Sequence, residues 1–145
     1  MSELRKDPVI DRWVIIASER GKRPVNYQIS TIPLYNNVCP FCPGNEEQTP
    51  PEIDRFESPE GRWRVRVVPN KYPAVSEHAL SCEDSLDLFQ CLSGWGMHEV
   101  IIETTEHQRQ MGDYGTAQME QVITMYRDRF LHYSRERKLA YIIIF

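Results

Sequence analysis

Between Pro24 and Pro51 the chain shows no hydrophobic period, yet two cysteines two residues apart sit inside it, in Cys39-Pro40-Phe41-Cys42-Pro43-Gly44-Asn45-Glu46. A stretch of that length without its own secondary structure is uncommon inside a compact domain unless it is functional or pinned. Two thiols at this spacing can close on one metal ion, and Pro43-Gly44 then turns the chain sharply away. Zinc takes four ligands in a tetrahedron, so the cysteines fill two places and the other donors must come from distant residues. The fold therefore has to carry remote donors to this loop.

The flanking segments say how. Residues 12–17 (Arg-Trp-Val-Ile-Ile-Ala) are β-branched and aromatic and read as a well-buried strand. Residues 62–68 alternate charged and apolar side chains, which describes a strand with one wet face ending at Pro69-Asn70. Residues 98–104 form a third strand with a polar exit through Thr105-Glu106-His107-Gln108, and 79–96 has no clear period. Then the period changes. Met119, Val122, Ile123, Tyr126, Phe130 and Tyr133 recur at helical spacing, predicting an amphipathic helix over 116–138 with its aromatic and methionine positions in the core. Residues 140–145 read as a buried strand, and an apolar strand with no polar exit implies a sheet that continues past it.

A chain of 145 residues with 41% apolar and 26% charged residues fits one globular domain with a modest core. A net charge of −4 speaks against a nucleic-acid partner or an anionic membrane surface, both of which call for a basic excess. No run approaches the roughly 18 apolar residues of a membrane span, and the start lacks a secretory apolar core, so the expected location is the cytoplasm. In a reducing compartment Cys82 and Cys91, which lack CxxC spacing, read as free, partly buried thiols. Arg20, Lys22 and Arg23 place three cations within four residues, and from spacing alone they read as a solvated charged turn.

Several segments in order resemble one family. Leu4-Arg5-Lys6-Asp7-Pro8, residues 12–17, Arg20-Gly21-Lys22-Arg23-Pro24, the cysteine loop, Thr49-Pro50-Pro51-Glu52-Ile53, residues 66–74 and residues 96–104 are similar to the amino-terminal part of galactose-1-phosphate uridylyltransferases, of the histidine-triad superfamily. The resemblance implies an α+β fold, a histidine-triad-like antiparallel sheet with a long packed helix, cut before the family's His-x-His-x-Gln segment. It implies one unit over 1–145 with a zinc loop near 36–52.

It also implies an activity. In the family, UDP-glucose and galactose 1-phosphate exchange a uridylyl group through a covalent UMP-histidine, in proteins that are homodimers. The nucleophile lies in the His-x-His-x-Gln motif; none of His78, His98, His107 or His132 stands in such a motif, so no catalytic residue is assigned here and the chain alone is expected to be inactive. By family position Cys39, Cys42 and His107 are zinc ligands, with His98 a weaker candidate than His107. Arg20, Lys22 and Arg23 become diphosphate contacts, Asn70 and Lys71 nucleotide contacts, and Gln48 and Thr49 either line the base pocket or merely shape the loop. Arginine's planar fork and lysine's compact charge both suit phosphate oxygens. Two alternatives stay open: an ADP-glucose phosphorylase-like nucleotidyltransferase, and a non-catalytic zinc- or nucleotide-binding fragment.

Overall fold

The alternating side chains of residues 62–68 do form a strand, at Trp63–Pro69, and it is the centre of the better-packed half of the molecule. The structure is a computed structural model that describes residues 2–23, 39–82 and 89–145. Contacts divide the chain into two compact units, one of residues 1–36 and 69–99, the other of residues 37–68 and 100–145.

The first unit carries a three-stranded sheet of order β2-β1-β5, from β1 (Ser2–Lys6), β2 (Trp13–Ala17) and β5 (Cys91–Ser93). Both pairings are antiparallel, with Leu4 opposite Ile15 on one side and Leu92 on the other. Asp7 makes the β1–β2 turn: its carboxylate accepts the Val9 and Ile10 N–H groups, and its N–H donates to Arg12 O. Gly94 follows β5 where a Cβ would lie 2.5 Å from the Ser2 carbonyl carbon, so only glycine lets the two backbones approach. β2 is an edge strand, and Val14, Ile15 and Ile16 are each between 45% and 49% exposed, against the expectation of a well-buried strand. Being β-branched suits a residue to the pleat; what covers the pleat is a tertiary matter.

The second unit is built on β3 (Asp54–Glu57), β4 (Trp63–Pro69) and β6 (Glu99–Ile102), in the order β3-β4-β6, with helix α1 (Thr116–Tyr133). β3 and β4 are antiparallel with a bulge at Phe56/Glu57. Val65 and Val67 pack on Val122 and Met125, with Phe56, Ile101, Tyr114 and Tyr126 around them; Trp63, Val68 and Ile102 form a second cluster. Burying each of these side chains stabilises by roughly 1.5–3 kcal/mol. The expected architecture, antiparallel strands with one long helix, is present, divided between two sheets rather than laid in one.

Four expectations change. The helix stops at Tyr133, five residues before 138 (138 − 133), with Ser134 N–H capping Phe130 O. Its buried positions are Val122 and Met125, while Phe130 is exposed, because the stripe that meets Val65 and Val67 is rotated from the aromatic one. Residues 140–145 form no strand and Phe145 is 97% exposed: an extended segment becomes a strand only beside another strand, and among the described residues none pairs with it. Cys82 and Cys91 are joined in a disulfide instead of standing as free thiols. Nine positions apart along the chain, they are brought together because the segment before Cys82 runs back along the end of β5, with Ser76 N–H donating to Gly94 O and Ser93 Oγ to Ala79 O.

Candidate metal centre and phosphate-facing cluster

Cys39 and Cys42 open a tight backbone turn in which Cys42 N–H donates to Cys39 O and Asn45 N–H to Cys42 O. The Asn45 side chain donates to Cys39 O at 2.8 Å, closing the knuckle from outside. Gly44 has φ +90°, a conformation that glycine adopts without strain, and that lets its N–H reach Glu46 Oε2 at 2.9 Å. The other Glu46 oxygen accepts the Trp63 indole N–H at 2.7 Å. That bond is the main reason the Glu46 carboxyl is held below its ordinary range, with the N–H groups of Glu46 and Gly44 and the charge of Arg66 adding to it. So the loop is welded to β4 through one carboxylate.

Arg66 makes the second weld. The alternating pattern placed it on a wet face, but it is 3% exposed. Its guanidinium donates to Glu52 at 2.9 Å, to the Thr49 hydroxyl at 2.9 Å and to Glu46 O. The loop itself covers that face of β4 and supplies acceptors for all of these donors, which is how a buried cation is tolerated. Thr49 is thereby engaged structurally, its hydroxyl donating to Glu46 O while accepting from Arg66.

The third donor arrives from the exit of β6. Glu103 accepts the phenol protons of Tyr114 and Tyr126 and, through its carbonyl, a Gln118 N–H, fastening the strand end to α1. Burial, then this carboxylate, pushes the Tyr126 phenol far above its ordinary value. From that anchor residues 104–107 extend to bring His107 Nδ1 to 3.3 Å from Cys42 Sγ. Cys39, Cys42 and His107 offer one donor each, all within 4.8 Å of one another, beside a cavity of about 230 Å³ that Phe41, Ile102 and Thr104 also line.

This donor set fits a zinc-like ion. Zn–S of ~2.3 Å and Zn–N of ~2.0 Å at a tetrahedral angle put sulfur and nitrogen about 3.5 Å apart, close to the 3.3 Å found. Burial raises the Cys42 thiol above its ordinary value, with Cys39 adding to the effect, so a cation there displaces protons as it binds. The three residues named from the sequence are thus the three that meet.

The basic and nucleotide-facing candidates lie in the first unit. A short 3₁₀ turn, Ser18–Lys22, follows β2, and Arg23 N–H closes it on Arg20 O. Lys22 pairs with Glu19 at 2.5 Å on the surface, and Arg23 and Lys71 are exposed. Arg20 is different: its charge acts on His98, whose imidazole is held below its ordinary pKa by burial first and by Arg20 second. Asn70 Nδ2 lies 3.1 Å from His98 Nε2, Asn70 Oδ1 accepts the Tyr72 N–H, and Asn70 N–H donates to His98 O. His98 Nδ1 accepts the Ala74 N–H at 2.9 Å.

The structure therefore links Arg20 and Asn70 through His98. Sequence reasoning weighed that histidine only as a metal ligand. The signal that pointed elsewhere was its position just before β6, where a backbone bond with Asn70, just after β4, continues the pairing of the two strands. Glu46, Trp63 and Glu103 were missed as well, because a carboxylate's role as an anchor leaves no spacing pattern.

Comparisons with known proteins agree along the whole chain. The family described as galactose-1-phosphate uridyl transferase, N-terminal domain, matches residues 1–145. The ADP-glucose phosphorylase of Arabidopsis thaliana is 32% identical over 148 residues, covering 99% of this chain and 42% of that protein. The galactose-1-phosphate uridylyltransferase of Thermotoga maritima is 27% identical over 146 residues, covering 100% of this chain and 40% of that protein. A solved structure of a uridylyltransferase mutant superposes with a TM-score of 0.67 at 26% identity, covering 96% of this chain and 37% of that one. The chain spans about two fifths of the length of the curated relatives it matches.

Proposed function

Because this chain belongs to the galactose-1-phosphate uridyl transferase family through its N-terminal domain, we propose that it is the amino-terminal part of a nucleotidyltransferase that moves a uridylyl group between UDP-glucose and galactose 1-phosphate. The match over residues 1–145 carries this reading. In it, Cys39, Cys42 and His107 hold zinc, whose contribution is to pin the loop from Cys39 to Glu52 and not to act on the substrate; residues 36–38 of the expected loop lie outside the described residues. Arg20, Lys22 and Arg23 supply positive charge to the diphosphate, and Asn70 and Lys71 face the nucleotide. His98 holds Asn70 in place by accepting the Asn70 N–H on its backbone carbonyl, and protonation of its imidazole is disfavoured by burial first and by the charge of Arg20 second.

The reaction of the complete protein passes through a covalent UMP-histidine, which splits one displacement into two. The histidine comes from a His-x-His-x-Gln motif, which does not occur among these 145 residues. In this reading the complete protein is a homodimer and works in the cytoplasm; among the described residues no helix is long and apolar enough to cross a membrane. Isothermal titration tests the binding step: the chain takes up UDP-glucose, Asn70→Ala weakens it, and incubation with radiolabelled UDP-glucose leaves no covalent label. Equal affinity in wild type and in a combined Arg20→Ala, Asn70→Ala variant sinks the assignment.

The 32% identity to a plant ADP-glucose phosphorylase favours a second reading, with ADP-glucose as the nucleotide sugar. Titration with both nucleotide sugars decides between them, the tighter one naming the base.

A further inference from the structure

We propose that Cys82 and Cys91 are a reversible redox site whose oxidation state sets how firmly the Asn70–His98 pair is held. Its consequence for nucleotide affinity rests on the reading of Asn70 given above; the coupling itself does not.

At least four ties hold residues 74–82 to β1, to β5 and to Gly94 just beyond it. Ser2 Oγ donates to Ala74 O at 2.8 Å, Ser76 N–H to Gly94 O at 3.0 Å, and Ser93 Oγ to Ala79 O at 3.5 Å. The fourth tie is the bond between Cys82 and Cys91, with Cα atoms 5.8 Å apart, within the span that a disulfide accepts. Of the four, this one alone is made and broken by electron transfer. Ala74 stands at the other end of the same run, where its carbonyl receives Ser2 and its N–H is given to His98 Nδ1. Loosening the segment at Cys82 therefore loosens Ala74, whose N–H fixes the imidazole, and that imidazole lies 3.1 Å from the Asn70 amide on the residue whose carbonyl accepts the Asn70 N–H.

Glu3 makes the pair reducible. Its Oε2 lies 3.7 Å from Cys82 Sγ and 3.8 Å from Cys91 Sγ, while Oε1 is held by Arg5 at 2.8 Å, and its side chain is 15% exposed. A carboxylate there accepts S–H protons from the dithiol and repels a thiolate, so it favours the reduced, protonated state. Closure needs an external low-molecular-weight disulfide. One cysteine thiolate attacks a sulfur of that disulfide and expels one thiolate, leaving a mixed disulfide; the second cysteine thiolate then attacks the protein sulfur and expels the other. Two protein S–H groups are oxidised, one small disulfide becomes two thiols, and the two protons leave with those thiols.

The full chain is equilibrated in graded mixtures of oxidised and reduced glutathione, then alkylated and peptide-mapped, with amide hydrogen exchange followed at residues 70–76. Cys82 and Cys91 are expected to convert together, with slower exchange at Ala74 in the oxidised form and about fivefold tighter UDP-glucose binding, at the low end of typical coupling between sites. Glu3→Gln shifts the equilibrium toward the disulfide, and Cys82→Ser or Cys91→Ser abolishes the redox response. Independence of Ala74 exchange from the oxidation state overturns the proposal. So does protection of both thiols by added zinc without any pairing at the highest glutathione disulfide ratio, since the same three side chains have the spacing of a metal site. Exchange that tracks oxidation while Asn70→Ala leaves UDP-glucose binding untouched sinks the nucleotide reading and leaves the redox coupling standing.

Discussion

Glu46 and Trp63, seventeen positions apart, are joined by a 2.7 Å hydrogen bond from the indole N–H to the carboxylate, and the other oxygen of that carboxylate holds the turn after Cys42. A buried strand residue thus sets the shape of a surface metal loop. Partners one step removed from metal ligands typically change metal affinity by ~10–100-fold when lost.

Trp63→Phe keeps the ring in the cluster with Val68 and Ile102 but removes the donor. Zinc affinity, read by competition with a chromophoric chelator, is expected to fall about tenfold with the far-UV spectrum unchanged. Unchanged affinity shows that Glu46 holds the turn without the indole.

Cys39→Ser and His107→Ala each remove one donor of the three that converge. Metal analysis after dialysis is expected to drop from about one equivalent of zinc toward zero in both, because losing a ligand from so small a set leaves mostly water around the ion. Retention of a full equivalent in Cys39→Ser assigns the metal to other groups.

Arg66→Lys preserves the charge but not the fork that serves Glu52, Thr49 and the Glu46 carbonyl together. With the Thr49 hydroxyl and the Glu46 carbonyl losing their donor, while Glu52 keeps Arg55, urea denaturation is expected to show a loss of about 1–3 kcal/mol. Arg66→Ala costs more than the lysine variant, since it removes the donors to Glu52, Thr49 and the Glu46 carbonyl together and opens a gap beside β4, although Glu52 is partly exposed and keeps Arg55. A change within error for both variants means that water replaces the guanidinium freely.

His98 gives the chain a predictable acid response. Its ordinary pKa of 6.5 is lowered in the folded state, by burial foremost and by Arg20 next. The folded protein therefore binds this proton less readily than the unfolded chain. Its contribution is present in full above pH 6.5 and is lost as the pH falls from there through the folded pKa. Protonation also ends acceptance of the Ala74 N–H. The urea midpoint of wild type is expected to fall over this window, and His98→Gln, whose amide oxygen can accept from Ala74, to flatten that part of the profile. Parallel profiles place the titrating group elsewhere.

Local patterns were a good guide wherever the physics is local. The period of 62–68 marks β4 within a residue and that of 116–138 marks α1 as far as Tyr133, because side-chain direction follows from backbone geometry alone. The same logic could not say that Arg66 faces the cysteine loop and not water, nor that β2 is an exposed edge. Exposure depends on what lies opposite, and opposite residues are remote in the chain. The run at 140–145 shows the limit from the other side: apolar and β-branched, it still forms no strand without a described partner.

By itself the sequence determined the chemical identity of the donors: two thiols at a three-position step, an imidazole just past a strand, a cluster of cations after another. Tertiary structure decided which of them share a site. His107 meets Cys42 across sixty-five positions, His98 joins Asn70 and feels Arg20, and Cys82 finds Cys91. The reason is physical: a covalent chain imposes neighbours only within a few residues, whereas register, burial and hydrogen-bond supply across a sheet select the partners that bring distant side chains within reach.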